Sequence, residues 1–515
     1  MVNKKTVLIL LIFILILGSF LRIYKLGDES FWFDESAIMY VTRQNALDII
    51  MDIYTTTRLA PEYFETGGTP PLYYVLANYW TKLIGLNEFK LRLLSALFGI
   101  ISIYMIFLIG KMVFDYRVGL VSAFILSINY MHIYYSQEAR AYSLIILLTL
   151  LIVYFLLNAL KQNKALYWIA YVSCSTMLIY THYFGFFILF FEFLFLLIFF
   201  KEYRKYSKSI IISAISIFVL YLPWMPALLR QISAKNYLSF YLKDNIIWAT
   251  AKIFVQFNSW FTPDLQTRIA LRDIYHSIKN YSVSKLFDVT LLGWLTIVCV
   301  LAITALLSWY FFSLLFLKNK KLSIENFKEK NYLFILMWFL VPILIPIAIT
   351  LAEPASPVFG FVQYVLFATP AYYLIVAKGI LKSKRYLMIL LLLFVLSILP
   401  LYSYYSNFDK QQWREASFYF KNNRLEGELI VTSAFHSVLP LGYYYKDMEK
   451  VIGIRNVDEL MLKAANEDSV WLLYASEAYF DPEGTLKKYL DENYKLDSKV
   501  EFTGIKIFKY LKKES

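Results

Sequence analysis

The stretch Thr6–Ile23 reads TVLILLIFILILGSFLRI and follows the basic pair Lys4–Lys5. An apolar run of this length, with a single charge at Arg22, is long enough to cross a bilayer as a helix. No small-residue cleavage site follows it, because Arg22 and Lys25 lie there instead, so the stretch is an uncleaved first span and not a signal peptide. The basic pair before it places the N-terminus in the cytoplasm.

The composition extends this interpretation to the whole chain. Of 515 residues, 59% are hydrophobic and 19% aromatic, whereas soluble proteins contain about 45–50% apolar residues. The net charge of +13 is explained by basic loops that remain inside. Nucleic-acid binding is excluded, because no basic and aromatic patch lies on a soluble segment. Cys174 and Cys299 both lie in apolar runs, so they form neither a disulfide framework nor a metal motif.

Loop charges predict the topology. Six short segments hold 19 Lys or Arg against 4 Asp or Glu: Lys4–Lys5, Lys111–Arg117, Lys161–Lys164, Lys201–Lys208, Lys318–Lys330 and Lys378–Arg385. Placing all six in the cytoplasm requires eleven spans, and it leaves the C-terminus outside. The spans are predicted at 6–23, 92–112, 118–134, 141–160, 165–181, 184–200, 209–228, 288–316, 331–351, 362–379 and 385–402.

One further apolar run, Thr69–Gly85, would invert every later loop if it crossed the membrane. It begins TPPLYYVLANYW, and its prolines suit a helix start. Its Tyr, Trp and Lys residues suit the level of the headgroups. We therefore predict a helix that lies in the outer interface or dips partly into the bilayer.

The predicted fold class is a polytopic α-helical membrane protein with a small C-terminal α/β domain outside the membrane. Residues 1–405 form the transmembrane domain, with a large first outer loop at 24–91 and a second at 229–288. From 406 to 515, strand-like runs (ELIVTS, SVWLLYAS, VEFTGIKIFKY) alternate with amphipathic helices at Gln411–Lys421 and Val457–Asn466. The result is a multi-pass protein of the cell membrane.

Ionisable residues collect at the outer ends of the predicted spans, where each needs a reason because burying a charge is costly. They are Asp34 and Glu35 in FWFDES, Arg92, Glu138 and Arg140 in YYSQEAR, and His182 in YTHYFG. Each also has a structural interpretation. Asp34 could cap a helix that begins at Glu35, Glu138 and Arg140 could form an ion pair, Arg92 could extend to the headgroups, and His182 could be an interfacial residue. A topology built from loop charges alone places all of these residues on the outer side of the membrane, and this clustering favours a functional site.

Seven motifs, in order along residues 1–445, resemble those of GT-C glycosyltransferases. They are FWFDES, TPPLYY, LRLLSALFG, IYYSQEARAYSL, YTHYFG, YLPWMPALLRQI and the helix with Trp413-Arg414-Glu415-Ala416. The chain is most similar to the branch of protein O-mannosyltransferases and lipid A aminoarabinose transferases. It departs from the pattern at Gly68-Thr69, where relatives have a His or Glu-Lys, at Ala37, where the aminoarabinose enzymes have Arg, and at Gln363-Tyr364, where relatives often have Arg-Tyr.

The resemblance implies transfer of a monosaccharide, with inversion, from a dolichyl or undecaprenyl phosphate to an acceptor hydroxyl on the outer face. It implies that Asp34 is the general base and that Glu35 supports it or contacts the acceptor. Arg92 and Arg140 are the expected ligands of the donor phosphate. The sugar and acceptor cavity is expected to contain Glu138, His182 and Tyr73.

The same roles make chemical sense without the resemblance. A sugar hydroxyl needs a carboxylate to take its proton, and a departing phosphate anion is stabilised by a planar guanidinium. No cofactor is required, because the chain lacks a P-loop or dinucleotide fingerprint. A divalent metal is unsupported, since the 4 His residues are not at ligand spacing.

Two other functions are open at this point. A lipid flippase or transporter would predict midplane charges and repeated halves, and neither is seen. A ligase or polymerase of lipid-linked oligosaccharides uses similar carriers, and donor size would separate it from a monosaccharide transferase. The acceptor can be a protein, a lipid or a glycan. Besides membrane lipids, the lipid-linked sugar and this acceptor are the expected partners.

Overall fold

The fold is taken from a computed structural model of the chain. It describes residues 3–55, 69–233, 246–259, 289–316, 330–352, 362–407, 410–475, 480–481 and 483–513. Most of the predicted second outer loop, 229–288, lies outside these residues.

The membrane part is built from helices. In chain order they are α1 Lys4–Ile23, α2 Phe33–Val41, α3 Ala46–Thr55, α4 Leu72–Ile84, α5 Glu88–Val113, α6 Tyr116–Ile128, α7 Tyr130–Ser136, α8 Tyr142–Gln162, α9 Ala165–Ile179, α10 Gly185–Ile198, α11 Phe200–Tyr203, α12 Ser207–Tyr221, α13 Met225–Ser233, α14 Ile246–Asn258, α15 Leu291–Phe316, α16 Lys330–Ala352, α17 Thr369–Ile380 and α18 Tyr386–Ser406.

The predicted spans coincide with apolar helices. Within the described residues, seven helices are long and apolar enough to cross a membrane, and α6 with α7 forms an eighth, bent by 64°. Three shorter apolar helices, Ala165–Ile179, Gly185–Ile198 and Leu366–Ile380, occupy the remaining predicted positions. The predicted polytopic helical fold is thus confirmed.

Helix position in the bundle follows from which side chains are covered. The central helices α5 and α8 bury 61% and 78% of their apolar windows, whereas α1 buries 22%. On α1, Leu8, Ile9, Phe13 and Ile16 are exposed. Such apolar surface is stable only against lipid tails, so α1 lies at the lipid boundary and α5 and α8 form the core.

The run at Thr69–Gly85 contains α4, a helix of 13 residues. At 1.5 Å per residue it is roughly 20 Å long, which is too short for a hydrocarbon core of about 30 Å. It packs on α3 and α5. Its buried Asn78 donates to the carbonyls of Thr42 and Gln44, which ties α4 to the loop after α2.

The C-terminal part is an α/β unit, as predicted. Its sheet has the order β2-β1-β3-β5-β4, with β1, β2 and β3 parallel and the other neighbouring pairs antiparallel. Its elements are α19 Trp413–Asn423, β1 Leu429–Thr432, α20 Val438–Tyr444, β2 Val451–Gly453, α21 Val457–Ala464, β3 Ser469–Ala475, α22 Thr485–Asn493, β4 Tyr494–Phe502 and β5 Ile505–Lys512. The short edge strand β2 was not predicted.

This unit is docked on the segment before α2. The Tyr444 hydroxyl donates to Glu88 Oε1 at 2.8 Å and accepts from the Phe31 amide at 2.7 Å. Ser30 Oγ donates to Glu415 Oε2 at 3.2 Å. The first loop and the C-terminal unit therefore lie at the same end of the helical bundle.

Candidate active site

The predicted acidic pair lies at the start of α2. The helix begins at Phe33, and Trp32 before it is extended, with φ −89° and ψ 177°. Asp34 and Glu35 are thus both in the first turn, where the helix dipole favours negative charge. The alternative in which Asp34 caps a helix beginning at Glu35 is wrong, because Asp34 lies inside the helix.

Glu35 is enclosed by donors. Arg92 binds it through two parallel hydrogen bonds, Nε to Oε1 at 2.8 Å and Nη2 to Oε2 at 2.7 Å. The Ala139 amide and Lys410 Nζ also reach Oε1, at 2.8 and 3.3 Å. Burial opposes ionisation of Glu35, but Arg92 and Lys410 outweigh it and hold the pKa of its carboxyl well below the ordinary value.

Arg92, the bidentate partner of Glu35, is carried by α5. Its five N–H donors have five acceptors: two go to Glu35, and three go to the carbonyls of Leu26, Glu29 and Ser30 at 2.8–3.1 Å. Its side chain is 2% exposed. This geometry differs from the expectation that Arg92 binds the donor phosphate, because every N–H of its guanidinium is already hydrogen-bonded within the protein. It differs for the same reason from the alternative that Arg92 extends to the lipid headgroups.

Asp34 and Arg140 form a more open pair. Arg140 Nη1 lies 3.4 Å from Asp34 Oδ2, and the two side chains are 21% and 29% exposed. Arg140 also stacks over the Tyr142 ring, with 5.6 Å between guanidinium and centroid. Asp34 and Arg140 are therefore partly accessible, and the hydroxyl of the buried Tyr142 lies 3.4 Å from Arg140 Nη2.

Glu138 lies between these two pairs and is buried. Burial raises the pKa of its carboxyl to about 8, although Lys410 and Arg140 oppose the rise. Glu35 and Asp34 act in the same direction as burial. The predicted Glu138–Arg140 ion pair is not formed; Arg140 pairs with Asp34 among the described residues.

Tyr73 and His182 occupy different positions at this site. The Tyr73 hydroxyl is buried and lies 2.8 Å from Ser95 Oγ, which donates to the Arg140 carbonyl at 3.2 Å. Tyr73 thus supports the turn that carries Arg140. His182 Nδ1 accepts from the Phe184 amide at 3.1 Å, so the neutral ring carries its proton on Nε2. Burial and Arg140 lower the pKa of His182 to about 4.

Lys410 and Gln137 were not among the predicted site residues. Gln137 Nε2 donates to the carbonyls of Leu21, Arg22 and Tyr24, at 2.8–3.4 Å. Its Oε1 accepts from the Tyr404 hydroxyl at 2.7 Å. Gln137 therefore joins the ends of α1 and α18 beneath the site. Its place in YYSQEAR was a usable signal, whereas Lys410 lies in a polar segment with no motif of its own.

The described residues contain no group of three His, Cys, Asp or Glu side chains that could hold a metal ion. The absence of a metal requirement stays a prediction.

Comparisons with known proteins were made by sequence and by structure. Residues 68–228 match the sequence model of the dolichyl-phosphate-mannose-protein mannosyltransferase family. No curated protein sequence matches the chain. ArnT from Cupriavidus metallidurans, bound to undecaprenyl phosphate, superposes with a TM-score of 0.53 at 10% identity, over 98% of each chain.

The Archaeoglobus fulgidus oligosaccharyltransferase in the apo form superposes with a TM-score of 0.54 at 14% identity. The alignment covers 99% of this chain and 75% of that one. At such identities the superpositions establish the fold. The chain thus has the fold of ArnT and of the oligosaccharyltransferase, and within it residues 68–228 resemble the dolichyl-phosphate-mannose-protein mannosyltransferase family.

Proposed function

We propose that the protein transfers a single sugar, with inversion, from a polyprenyl phosphate to an acceptor hydroxyl on the outer face of the membrane. The observation that carries the mechanism is the contrast between two adjacent carboxylates. Glu35 is 0% exposed and has four donors, whereas Asp34 is 29% exposed beside Arg140. Asp34 is the general base, and Glu35 holds α2 in place.

In the reaction, the acceptor oxygen attacks the anomeric carbon while Asp34 takes the hydroxyl proton. The bond from that carbon to the phosphate oxygen breaks, and its electron pair leaves with the polyprenyl phosphate. Arg140 is the accessible guanidinium, so it stabilises the departing anion. Arg92 acts through Glu35 and does not touch the donor.

Two further observations support this reading. ArnT, described as bound to undecaprenyl phosphate, aligns over 98% of its own length, whereas a quarter of the oligosaccharyltransferase has no counterpart in this chain. The overall match thus supports a polyprenyl phosphate carrier like the undecaprenyl phosphate bound to ArnT.

The test uses Asp34→Asn and Glu35→Gln as a pair. The purified variants are incubated with dolichyl-phosphate mannose and a panel of other polyprenyl-phosphate sugars, and transfer to water or added acceptors is followed by mass spectrometry. Asp34→Asn should retain its melting temperature and donor affinity while the rate falls by roughly 10²–10⁴-fold, because an amide takes no proton.

Glu35→Gln should behave differently. It leaves the Arg92 guanidinium buried without its carboxylate, which costs about 3–5 kcal/mol of stability, so its melting temperature should fall. Near-normal transfer by a well-folded Asp34→Asn protein would refute the mechanism. A wild-type protein that uses lipid-linked oligosaccharides, offered in a parallel incubation, and none of the monosaccharide carriers would refute the donor class.

A further inference from the structure

Lys410 enters the site from outside the helical bundle. It follows α18, which ends at Ser406, and precedes α19 of the C-terminal unit. Its side chain is 3% exposed. Its Nζ donates to Glu35 Oε1 at 3.3 Å and to the Gln137 carbonyl at 2.9 Å. The ammonium thus joins α2 to the turn that carries Glu138 and Arg140.

The backbone at this point is also held. The Lys410 amide donates to Glu29 Oε1 at 3.2 Å. Four residues later, Arg414 Nη2 lies 3.3 Å from Glu88 and donates to the carbonyls of Gly27 and Asp28. Docking of the C-terminal unit therefore fixes where the Lys410 ammonium lies.

Lys410 also completes the charge balance. The site contains three carboxylates, Asp34, Glu35 and Glu138, and their cationic neighbours are Arg92, Arg140 and Lys410. Without Lys410, Glu35 would lose one of its four donors and Glu138 would lose a cationic neighbour in a largely buried space, where an uncompensated charge is costly. Its loss would favour protonation of the least compensated acid.

That acid is Glu138. Facing it are charged groups and tyrosines from every element packed around it: Asp34 and Glu35 on α2, Arg140 on its own turn, Lys410, and Tyr73, Tyr135 and Tyr142. Burial raises the pKa of Glu138, and of the cations Lys410 opposes the rise most.

Resting on the function proposed above, we propose that Lys410 is a positioning residue. Through it, the docked C-terminal unit sets the ionisation of Glu138 and the place of Glu35 beside the base Asp34. The transmembrane bundle alone would then hold every residue that touches substrate and yet be poorly active. If Lys410 only anchored this segment, its replacement would have the same effect as replacement of Arg414, which anchors the same segment without contacting these acids.

The test compares Lys410→Met with Arg414→Met in the full-length protein. The protonated carboxyl of Glu138 is followed by infrared spectroscopy across pH, and its band is assigned by its loss in Glu138→Gln. In Lys410→Met the midpoint should move upward by about one pH unit or more, because an opposite charge has been removed. In Arg414→Met it should stay within about 0.3 units, far below the shift that loss of a close charge produces.

Activity gives a second readout. Donor turnover by Lys410→Met should fall by about tenfold or more, since small displacements of catalytic groups are costly, while dolichyl phosphate affinity stays within about twofold. If Lys410→Met does not fold, Lys410→Gln replaces it, because it also lacks the charge. An unchanged midpoint in the folded variant, or an equal shift in Arg414→Met, would overturn the proposal. A shifted midpoint in a protein that uses no polyprenyl-phosphate sugar would instead refute the proposed function.

Discussion

At the scale of residues, neighbouring side chains of the same chemistry receive opposite environments. Asp34 and Glu35 are consecutive in the first turn of α2, so their side chains point about 100° apart around the helix axis. One direction leads to the Arg92 guanidinium and the Ala139 amide, and the other leads to the open side of Arg140. The two arginines differ in the same way, because Arg92 is buried and Arg140 is partly exposed.

This division predicts different effects for the two arginines. Arg140→Ala should weaken binding of dolichyl phosphate by about tenfold or more, with little change in melting temperature, and Arg140→Lys should restore binding only in part because an ammonium lacks the fork. Arg92→Ala should lower stability by about 3–5 kcal/mol, since it removes the bidentate partner of the buried Glu35 carboxylate and leaves it only Lys410 and the Ala139 amide. Ligand binding and thermal melting measured on each variant check both effects, and unchanged affinity in Arg140→Ala would remove its phosphate role.

Glu138 predicts a dependence of stability on pH. Its pKa is about 8 in the folded protein and has an ordinary value of 4.5. Between these values the folded state binds the proton more tightly than the unfolded state, so stability falls as pH rises, by up to about 1.4 kcal/mol per pH unit. Glu138→Gln should remove this part of the slope. Melting temperatures of both proteins from about pH 5 to pH 8 test this, and parallel curves would contradict it.

At the scale of elements, two glycines permit close packing between neighbouring helices. Gly110 on α5 and Gly119 on α6 let the two helices approach: a Cβ on Gly110 would lie 2.7 Å from the Gly119 Cα, and one on Gly119 would lie 2.5 Å from the Phe107 carbonyl oxygen. Backbone atoms cannot move away from an added Cβ as the end of a flexible side chain can. This contact lies beside the turn between α5 and α6, at the end of α5 away from Arg92, and it holds the two helices together there.

Gly110→Ala should therefore destabilise the protein by about 1–3 kcal/mol or more, the usual effect of overpacking, as measured by thermal melting in detergent. Gly442→Ala on α20 is the matched control. There the nearest atoms, 3.4–3.8 Å from an added Cβ, belong to the flexible Met448 side chain, and Ala favours a helix by about 1 kcal/mol over Gly. Equal melting temperatures for Gly110→Ala and wild type would contradict the packing argument.

At the scale of the whole molecule, the C-terminal unit and the first loop meet at one end of the helical bundle, which carries the candidate active site. Polar contacts join Ser30, Phe31 and Glu88 to Tyr444, Arg414 and Glu415 across sequence separations of 326 to 413 residues. The site is thus walled by two parts of the chain that are far apart in sequence, and the loop charges predict that this end faces outward.

Cysteine labelling tests that orientation. In a background without Cys174 and Cys299, Asp28→Cys and Glu492→Cys replace exposed residues at that end of the molecule, and Lys164→Cys replaces an exposed residue in a predicted cytoplasmic segment. An impermeant maleimide should label the first two in intact cells, and Lys164→Cys only after permeabilisation. The reverse pattern would invert the topology and place the active site in the cytoplasm.

The sequence by itself determined the order of the apolar helices, the presence of a helix within Thr69–Gly85 and the α/β unit at the end. These follow from hydrophobic runs and strand periodicity, which are local properties of the chain. It also brought Asp34, Glu35, Glu138 and Arg140 to one end, because loop charge orients each span. Only the tertiary structure decided which of the two carboxylates is exposed. It also decided that all the donors of Arg92 are hydrogen-bonded within the protein and that Lys410 contacts Glu35. Those contacts join residues 57 and 375 positions apart, and no local pattern records such distances.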